Sequence, residues 1–343
     1  GGHIILVAET AKNPDYEERL KKMYENFKLQ HERFQLDHKI VFLKSTEEIG
    51  KSNDYIALIQ YLENRMNDQD LKYVDENDFK AYEKHKYILS QLEDISSTQD
   101  LNDPRIEVFC QPVLNTATGK FDTAEALMRL RLEETGMVFP DQFIPIAEKY
   151  GYIHTLSFII LNKTCMEIRS LMREGYVLKR ISVNFSMLDV RLTNFCDSIR
   201  RIISDCGIPF DKIAIELTES QNEKEFLIVK EKINELKQSG IKFYLDDYGT
   251  GYSNFDRIIA LPFDIIKFDR SLVIASGKEA KSETMVSYLA HMFSDMNYSV
   301  LYEGVEDDRD EIMCRNMCGR YLQGYKYSKP IPIAELRNYF ERA

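Results

Sequence analysis

From residue 105 onward the chain alternates short β-branched or aromatic runs with longer helical patterns, and this rhythm narrows the fold more than any other feature. Eight runs have strand character: 106–114, 121–129, 180–185, 212–217, 241–245, 264–268, 299–302 and 321–325. The clearest helix between them covers 222–239, with Phe226, Val229, Ile233 and Leu236 on one face and Gly240 at its C-terminal end. Another, over 279–297, carries Met285, Leu289, Met292 and Met296 as a stripe, which reads as core packing rather than a cofactor box. About 240 residues holding eight β/α units is the size and rhythm of an α/β, TIM-type (β/α)8 barrel. A doubly wound open sheet is the alternative, but no GxGxxG turn follows an early strand.

The first hundred residues follow another pattern. An apolar run at 4–8, a charged helix over about 15–34, a strand at 39–44 and helices near 54–66 and 76–95 make a small α+β unit. The segment 96–104, SSTQDLNDP, is polar and without periodicity, and serves as a linker. The domains are therefore expected at 1–95 and 105–343, in keeping with a 343-residue chain, which exceeds the usual single-domain size.

Composition removes several classes of function. A net charge of −11 with no basic stripe argues against a general nucleic-acid or anionic-membrane binder. No apolar run approaches the length of a membrane span. Six scattered cysteines read as reduced thiols in a cytoplasmic compartment. Cys314 and Cys318, four apart, lack the second pair that a zinc site needs. His3 has no visible ligand partner, and His154 stands at a helix start.

A barrel places its chemistry where strands end and the loops to the next helices begin. In 241–253, IKFYLDDYGTGYS, a strand closes on Asp246 and Asp247, and Gly249 and Gly251 then turn the chain into a new helix. Asp and Gly are ordinary turn formers, so this loop alone decides little. The other strand ends repeat the theme, with Glu125, Asn184, Glu216 and Glu219, Lys267, Glu303 and Glu306, and Gln323 in order. One such carboxylate is usually a helix cap or a surface charge; five or more at one mouth would not stay ionised together without cations. The set is all oxygen, without His or Cys, which selects Mg²⁺ or Mn²⁺ over Zn²⁺. Asp246 with Asp247 could bridge two ions, the arrangement that supports in-line displacement at phosphorus. Lys267 among so many acids would stay protonated and hold a phosphate oxygen or the attacking water. The residues thus describe a two-metal phosphoesterase, without ordering direct ligands against the groups behind them.

These residues also carry a resemblance. Glu125-Ala126-Leu127 with Arg129, Gln111-Pro112, Val183-Asn184, Glu216-x-Thr218-Glu219, the Asp-Asp-aromatic-GTGYS loop, Ile266-Lys267-x-Asp269, EGVE and QGYxxSKP occur in that order. From about Arg105 to Ala343 the chain resembles an EAL domain, the family of cyclic di-GMP phosphodiesterases, whose fold is a TIM barrel with one antiparallel strand. The resemblance implies that Glu125, Asn184, Glu216 and Asp246 ligate one ion, and that Asp246 and Asp247 hold the second. It implies that Lys267, Asp247 and Glu303 are catalytic, with Lys267 and Glu303 serving the hydrolytic water and Glu303 as general base. Gln111, Arg129, Gln323 and Glu306 would face the substrate, and Glu219 would anchor the loop after the fifth strand, which also contributes to a homodimer contact. Tyr248 replaces the commoner Phe, and Leu130 stands where Trp is frequent; neither removes a ligand.

Gly1-Gly2-His3-Ile4-Ile5 resembles the GGDEF signature of diguanylate cyclases with its acidic pair replaced, which implies half of a degenerate domain unable to make cyclic di-GMP. The alternative is a simple Gly-Gly turn before a strand. The expected activity is hydrolysis of cyclic di-GMP to linear pGpG with two divalent ions. Its rivals are a cyclic di-GMP receptor without turnover, signalling through the N-terminal unit, and a barrel that is only a scaffold.

Overall fold

The computed structural model describes residues 15–32, 40–42, 55–63, 65–66, 71–218, 223–250 and 255–342. It divides into two units, residues 1–86 and 87–343. The apolar run at 4–8 and the Gly-Gly-His opening lie outside the described residues.

In the first unit, α1 (Tyr16–Glu32), β1 (Ile40–Phe42) and α2 (Tyr55–Glu63) fall where the periodicity expects them. A further strand, β2 (Leu71–Tyr73), pairs in parallel with β1; three residues are too few to show a period. Leu58, Leu62 and Tyr82 form a small core. The helix α3 (Glu76–Thr98) starts at a reciprocal cap, in which the Asp75 and Asp78 carboxylates each accept from the other's backbone N–H. It continues three residues beyond the expected end at 95, into the segment read as linker. From Tyr87 it belongs to the second unit, where Ile88, Leu92 and Ile95 are buried in the main core.

The second unit is a closed eight-stranded barrel. Its strands are β3 (Ile106–Asn115), β4 (Lys120–Leu132), β6 (Arg180–Asn184), β7 (Ile213–Leu217), β8 (Lys242–Tyr248), β9 (Ile265–Phe268), β10 (Ser299–Tyr302) and β11 (Gly319–Leu322). From β4 through β11 neighbouring strands pair in parallel, while β3 runs antiparallel to both β4 and β11 and closes the barrel. The antiparallel turn comes from the short Asn115–Lys120 connection, too short for the helical crossover that a parallel pair needs. Two short strands, β5 (Gly136–Val138) and β12 (Ile331–Pro332), lie at the edges. Inside, Val113, Ala214, Tyr244, Ile265, Leu301 and Tyr321 from six strands pack together, so the barrel is filled rather than open.

The surrounding helices are α4 (Pro140–Lys149), α5 (Ile153–Arg173), α6 (Met187–Val190), α7 (Phe195–Cys206), α8 (Glu223–Lys237), α9 (Phe255–Ala260), α10 (Arg270–Lys278), α11 (Ala280–Asp295) and α12 (Asp308–Asn316). On α8, Val229, Ile233 and Leu236 are buried as the pattern requires. On α11 half of the expected stripe holds: Leu289 and Met292 pack against the core, whereas Met285 and Met296 are exposed, and Val286, Ala290 and Phe293 make the fully buried face. The apolar arc of α11 is wide enough to offer two faces, and only the barrel surface selects between them.

Candidate functional site

Six strands deliver polar side chains to one mouth of the barrel. Glu125 lies in β4, directly across from Gln111 in β3, and pairs in register with Ser182 of β6. Asn184 and Glu216 are register partners at the ends of β6 and β7. Asp246 and Asp247 sit in β8, where its register with β9 shifts between Leu245 and Tyr248. That irregularity is what allows two consecutive acids to serve one site, because an undistorted strand would send them to opposite faces. Asp247 takes a left-handed backbone, φ 57°, which Asp tolerates better than most residues.

Lys267 of β9 is the hub. Only 1% exposed, its Nζ lies 2.5 Å from Glu216 Oε2, 2.8 Å from Asp246 Oδ1, 2.8 Å from Glu303 Oε1 and 3.4 Å from Glu125 Oε2. The Asp246 contact is close in distance but lacks hydrogen-bond geometry, so it is coulombic. Burial alone would discharge this ammonium; the surrounding carboxylates outweigh it and hold Lys267 charged, well above the ordinary lysine range.

The acids diverge in response. Burial pushes Glu216 well above the usual carboxylate range, with Glu125 and Asp246 adding to the rise against the pull of Lys267. Burial also raises Glu303 to about 8 and lifts Asp247, the latter helped by Asp246. Glu125 is buried as deeply, yet Lys267 and hydrogen bonds from Gln323 and Asn184 bring it below its ordinary value. Asn184 Nδ2 donates to Glu125 Oε1 at 2.8 Å, and Gln323 Nε2 to Glu125 Oε2 at 2.7 Å and to Gln111 Oε1 at 2.9 Å. Gln111 Nε2 in turn donates to the Ser328 carbonyl at 2.9 Å.

Two carboxylate triads have metal-ligand spacing, Glu125 with Glu216 and Asp246, and Asp246 with Asp247 and Glu303; in each, one oxygen per residue lies within 4.8 Å of the others. The donors are all oxygen and hard. Five carboxylates against one ammonium leave four negative charges if all are ionised (five minus one), which fits divalent cations. Asn184 spends its amide nitrogen on Glu125, leaving the amide oxygen as the atom available to a cation.

The structure brings Glu125, Asn184, Glu216, Asp246, Asp247, Lys267, Glu303, Gln111 and Gln323 together. It adds Glu303 to the second triad, beyond the role toward water that the resemblance implies. Its place at the end of β10, matching that of Asp246 in β8, is the signal that would have found it. Gln111 and Gln323, expected to face substrate, are 8% and 3% exposed; Gln323 donates to Glu125 and to Gln111, which in turn holds Gln323 in place. Glu306 does not join the cluster; its carboxylate accepts from Arg270 at the surface. Arg129 is buried with its guanidinium over the rings of Phe109 and Phe139, 5.5 and 5.6 Å from their centroids, and neither ring was foreseen. Glu219 and the loop residues 251–253 lie outside the described residues. Cys314 and Cys318 belong to no metal-spaced group among the described residues, and His154 is bound to Asp189.

Two loops hold the mouth in shape. Val305 N–H donates to the Gln323 carbonyl and Lys326 N–H to the Val305 carbonyl, knitting EGVE to QGY. A Cβ at Gly324 would overlap the Val305 backbone, so only glycine permits this approach. The same approach ends β11 at Leu322, earlier than the expected 325.

A model of the EAL domain family matches residues 95–330. Cyclic di-GMP phosphodiesterase NbdA of Pseudomonas aeruginosa is 30% identical over 244 residues, covering 70% of this chain and 31% of NbdA. Cyclic di-GMP phosphodiesterase PdeL of Escherichia coli is 29% identical over 235 residues, 68% of this chain and 64% of PdeL. Several curated relatives are far longer, and the chain spans only 29–31% of their length. Among solved structures, the PaMucR phosphodiesterase in complex with c-di-GMP superposes with a TM-score of 0.64 at 26% identity, covering 72% of this chain and 99% of that one. No helix among the described residues is long and apolar enough to cross a membrane. With the family model matching residues 95–330 of a barrel closed by one antiparallel strand, the chain belongs to the EAL-domain family.

Proposed function

We propose that this chain hydrolyses cyclic di-GMP to linear pGpG with two divalent ions, Mg²⁺ or Mn²⁺. The observation that carries the reading is the pair of carboxylate triads sharing Asp246, gathered around Lys267. Glu125, Asn184, Glu216 and Asp246 would hold one ion, and Asp246, Asp247 and Glu303 the other. When bound, the ions supply charge neutralisation at phosphorus and ease the ionisation of water.

The chain's own residues do the rest. Lys267 Nζ, fixed between Asp246 and Glu303, holds the attacking water or a phosphate oxygen and cannot drift, because four carboxylates anchor it. Glu303, with Oε1 2.8 Å from Lys267 Nζ, stands beside that water and takes its proton. Gln323 and Asn184 keep Glu125 ionised and oriented. Arg129, which donates through Nη1 to the Met128 carbonyl, keeps further N–H groups for a phosphate or a guanine edge, with Phe109 and Phe139 fixing its plane.

The family match at 95–330 and the start of the barrel unit at Tyr87 support a catalytic barrel preceded by a separate small domain. Exposed Met285 and Tyr288 on α11 and Ile274 on α10 support a homodimer through the barrel. The six free cysteines, five of them buried, support a reducing, cytoplasmic location.

The test is incubation of the chain with cyclic di-GMP and Mg²⁺ or Mn²⁺, with products resolved by chromatography. Appearance of pGpG that stops on adding EDTA is the expected result. Tight nucleotide binding without product, in the presence of either ion, would replace the enzyme with a receptor.

A further inference from the structure

The acids of the second triad come from two loops, and one helix presses on both. Eight glycines among the described residues take a left-handed backbone, and five of them, from Gly119 to Gly207, have open space where a Cβ would stand. Gly240 has only ordinary van der Waals neighbours there. The other two are packed hard. A Cβ at Gly249, φ 107°, would lie 2.6 Å from Leu272 Cδ1, and one at Gly304, φ 70°, would lie 2.6 Å from Arg270 Cβ. Gly249 sits inside the turn that the Thr250 N–H closes on the Asp247 carbonyl at 3.3 Å. Gly304 directly follows Glu303. Leu272 and Arg270 both belong to the first turn of α10.

That turn is itself held from both sides. The Asp269 N–H donates to the Tyr248 carbonyl at 3.1 Å, and the Asp269 carboxylate caps α10 by accepting from the Ser271 N–H at 2.8 Å. On the other side the Arg270 guanidinium pairs with Glu306, and the Glu303 N–H donates to the Phe268 carbonyl at 3.0 Å. Close-packed atoms transmit a displacement rather than absorb it, so a shift of α10 moves Asp247 and Glu303 together. Asp246 precedes the Asp247–Thr250 turn, and its partners in the first triad, Glu125 and Glu216, come from β4 and β7.

We propose, resting on the two-metal reading, that Arg270 and Leu272 are positioning residues that fix the separation of Asp247 and Glu303. They thereby tune the second triad, and not the first, to a small divalent ion. Arg270 acts through its aliphatic stem, which lies across Gly304; its exposed charge pair with Glu306 adds little. Mg²⁺ demands near-ideal octahedral geometry, whereas Ca²⁺ accepts looser shells, so slackening the two loops penalises Mg²⁺ more.

The full chain and the variants Arg270→Ala, Leu272→Ala and Arg270→Met are titrated with Mg²⁺ and with Ca²⁺ by calorimetry. The parent chain should take two Mg²⁺ ions. Each alanine variant should keep one Mg²⁺ at the parental affinity, which also reports a closed barrel, and bind the other about tenfold or more weakly. Ca²⁺ at the weakened site should lose less. Arg270→Met keeps the stem without the charge and should bind both ions as the parent does. Arg270 is exposed and Leu272 only partly buried, so the variants should fold. Two Mg²⁺ ions at parental affinity in both alanine variants, equal weakening of both ions, or an Arg270→Met that behaves as Arg270→Ala would overturn the inference. Fewer than two Mg²⁺ ions on the parent chain would instead sink the two-metal reading, and the positioning role with it.

Discussion

Asp246 is the residue on which both carboxylate triads depend, since it is their shared member. Asp246→Ala should therefore remove both ions' ligands and lower turnover by roughly a thousandfold or more, with the near-UV circular dichroism unchanged. Glu303→Gln leaves Glu125, Glu216 and Asp246 in place and should retain one ion by titration calorimetry, while losing turnover. Lys267 makes the opposite test. With its ammonium gone, four acids lose their counter-ion, two of them, Glu125 and Glu216, buried, and Lys267→Met should cost about 3–5 kcal/mol in urea unfolding with EDTA present. Adding Mg²⁺ should recover much of that loss, because a cation then takes over the same role.

Proton linkage belongs to this scale too. Glu303 is raised by burial from 4.5 to about 8. Its proton stabilises the metal-free fold fully below about 4.5, and that contribution is lost as the pH rises through about 8. A divalent ion has to displace this proton, so its apparent affinity should increase with pH up to about 8 and level off above. Calorimetry at neutral pH in two buffers of different ionisation enthalpy should show proton release on binding; identical heats would remove the raised Glu303 from the account.

At the scale of elements, the irregular β8–β9 pairing and the EGVE–QGY knot do what side chains alone do not. The first aims two adjacent acids at one site, and the second brings β10 and β11 ends to a fixed separation. Gly324→Ala drives a methyl group into the Val305 backbone, and we expect it to cost about 1–3 kcal/mol and to reduce activity in step. A melting temperature equal to that of the parent chain would show that the loop yields. The strands themselves were legible, all eight of them, because a buried parallel strand is a short apolar run with a polar end. The three-residue β2 and the choice of buried face on α11 were not, since each depends on a partner that local sequence does not contain.

Over the whole molecule, the barrel unit starts inside α3 rather than after the polar segment at 96–104. A fragment covering 76–343, which keeps that helix whole, should unfold in one cooperative step and hold the phosphodiesterase activity proposed for the full chain. Broad or multi-step melting would mean that the first unit supports the barrel. Sequence by itself determined the β/α rhythm, the all-oxygen donor set and the residue types at each strand end, because periodicity and charge are local properties of the chain. Only the tertiary structure decided which of those acids converge. Barrel closure placed Glu303 with Asp246 and Asp247, left Glu306 on Arg270, and turned Gln323 inward to hold Glu125 and Gln111. It also fixed how each acid titrates, since that depends on burial and on the distance to Lys267, and both come into being only when the barrel closes.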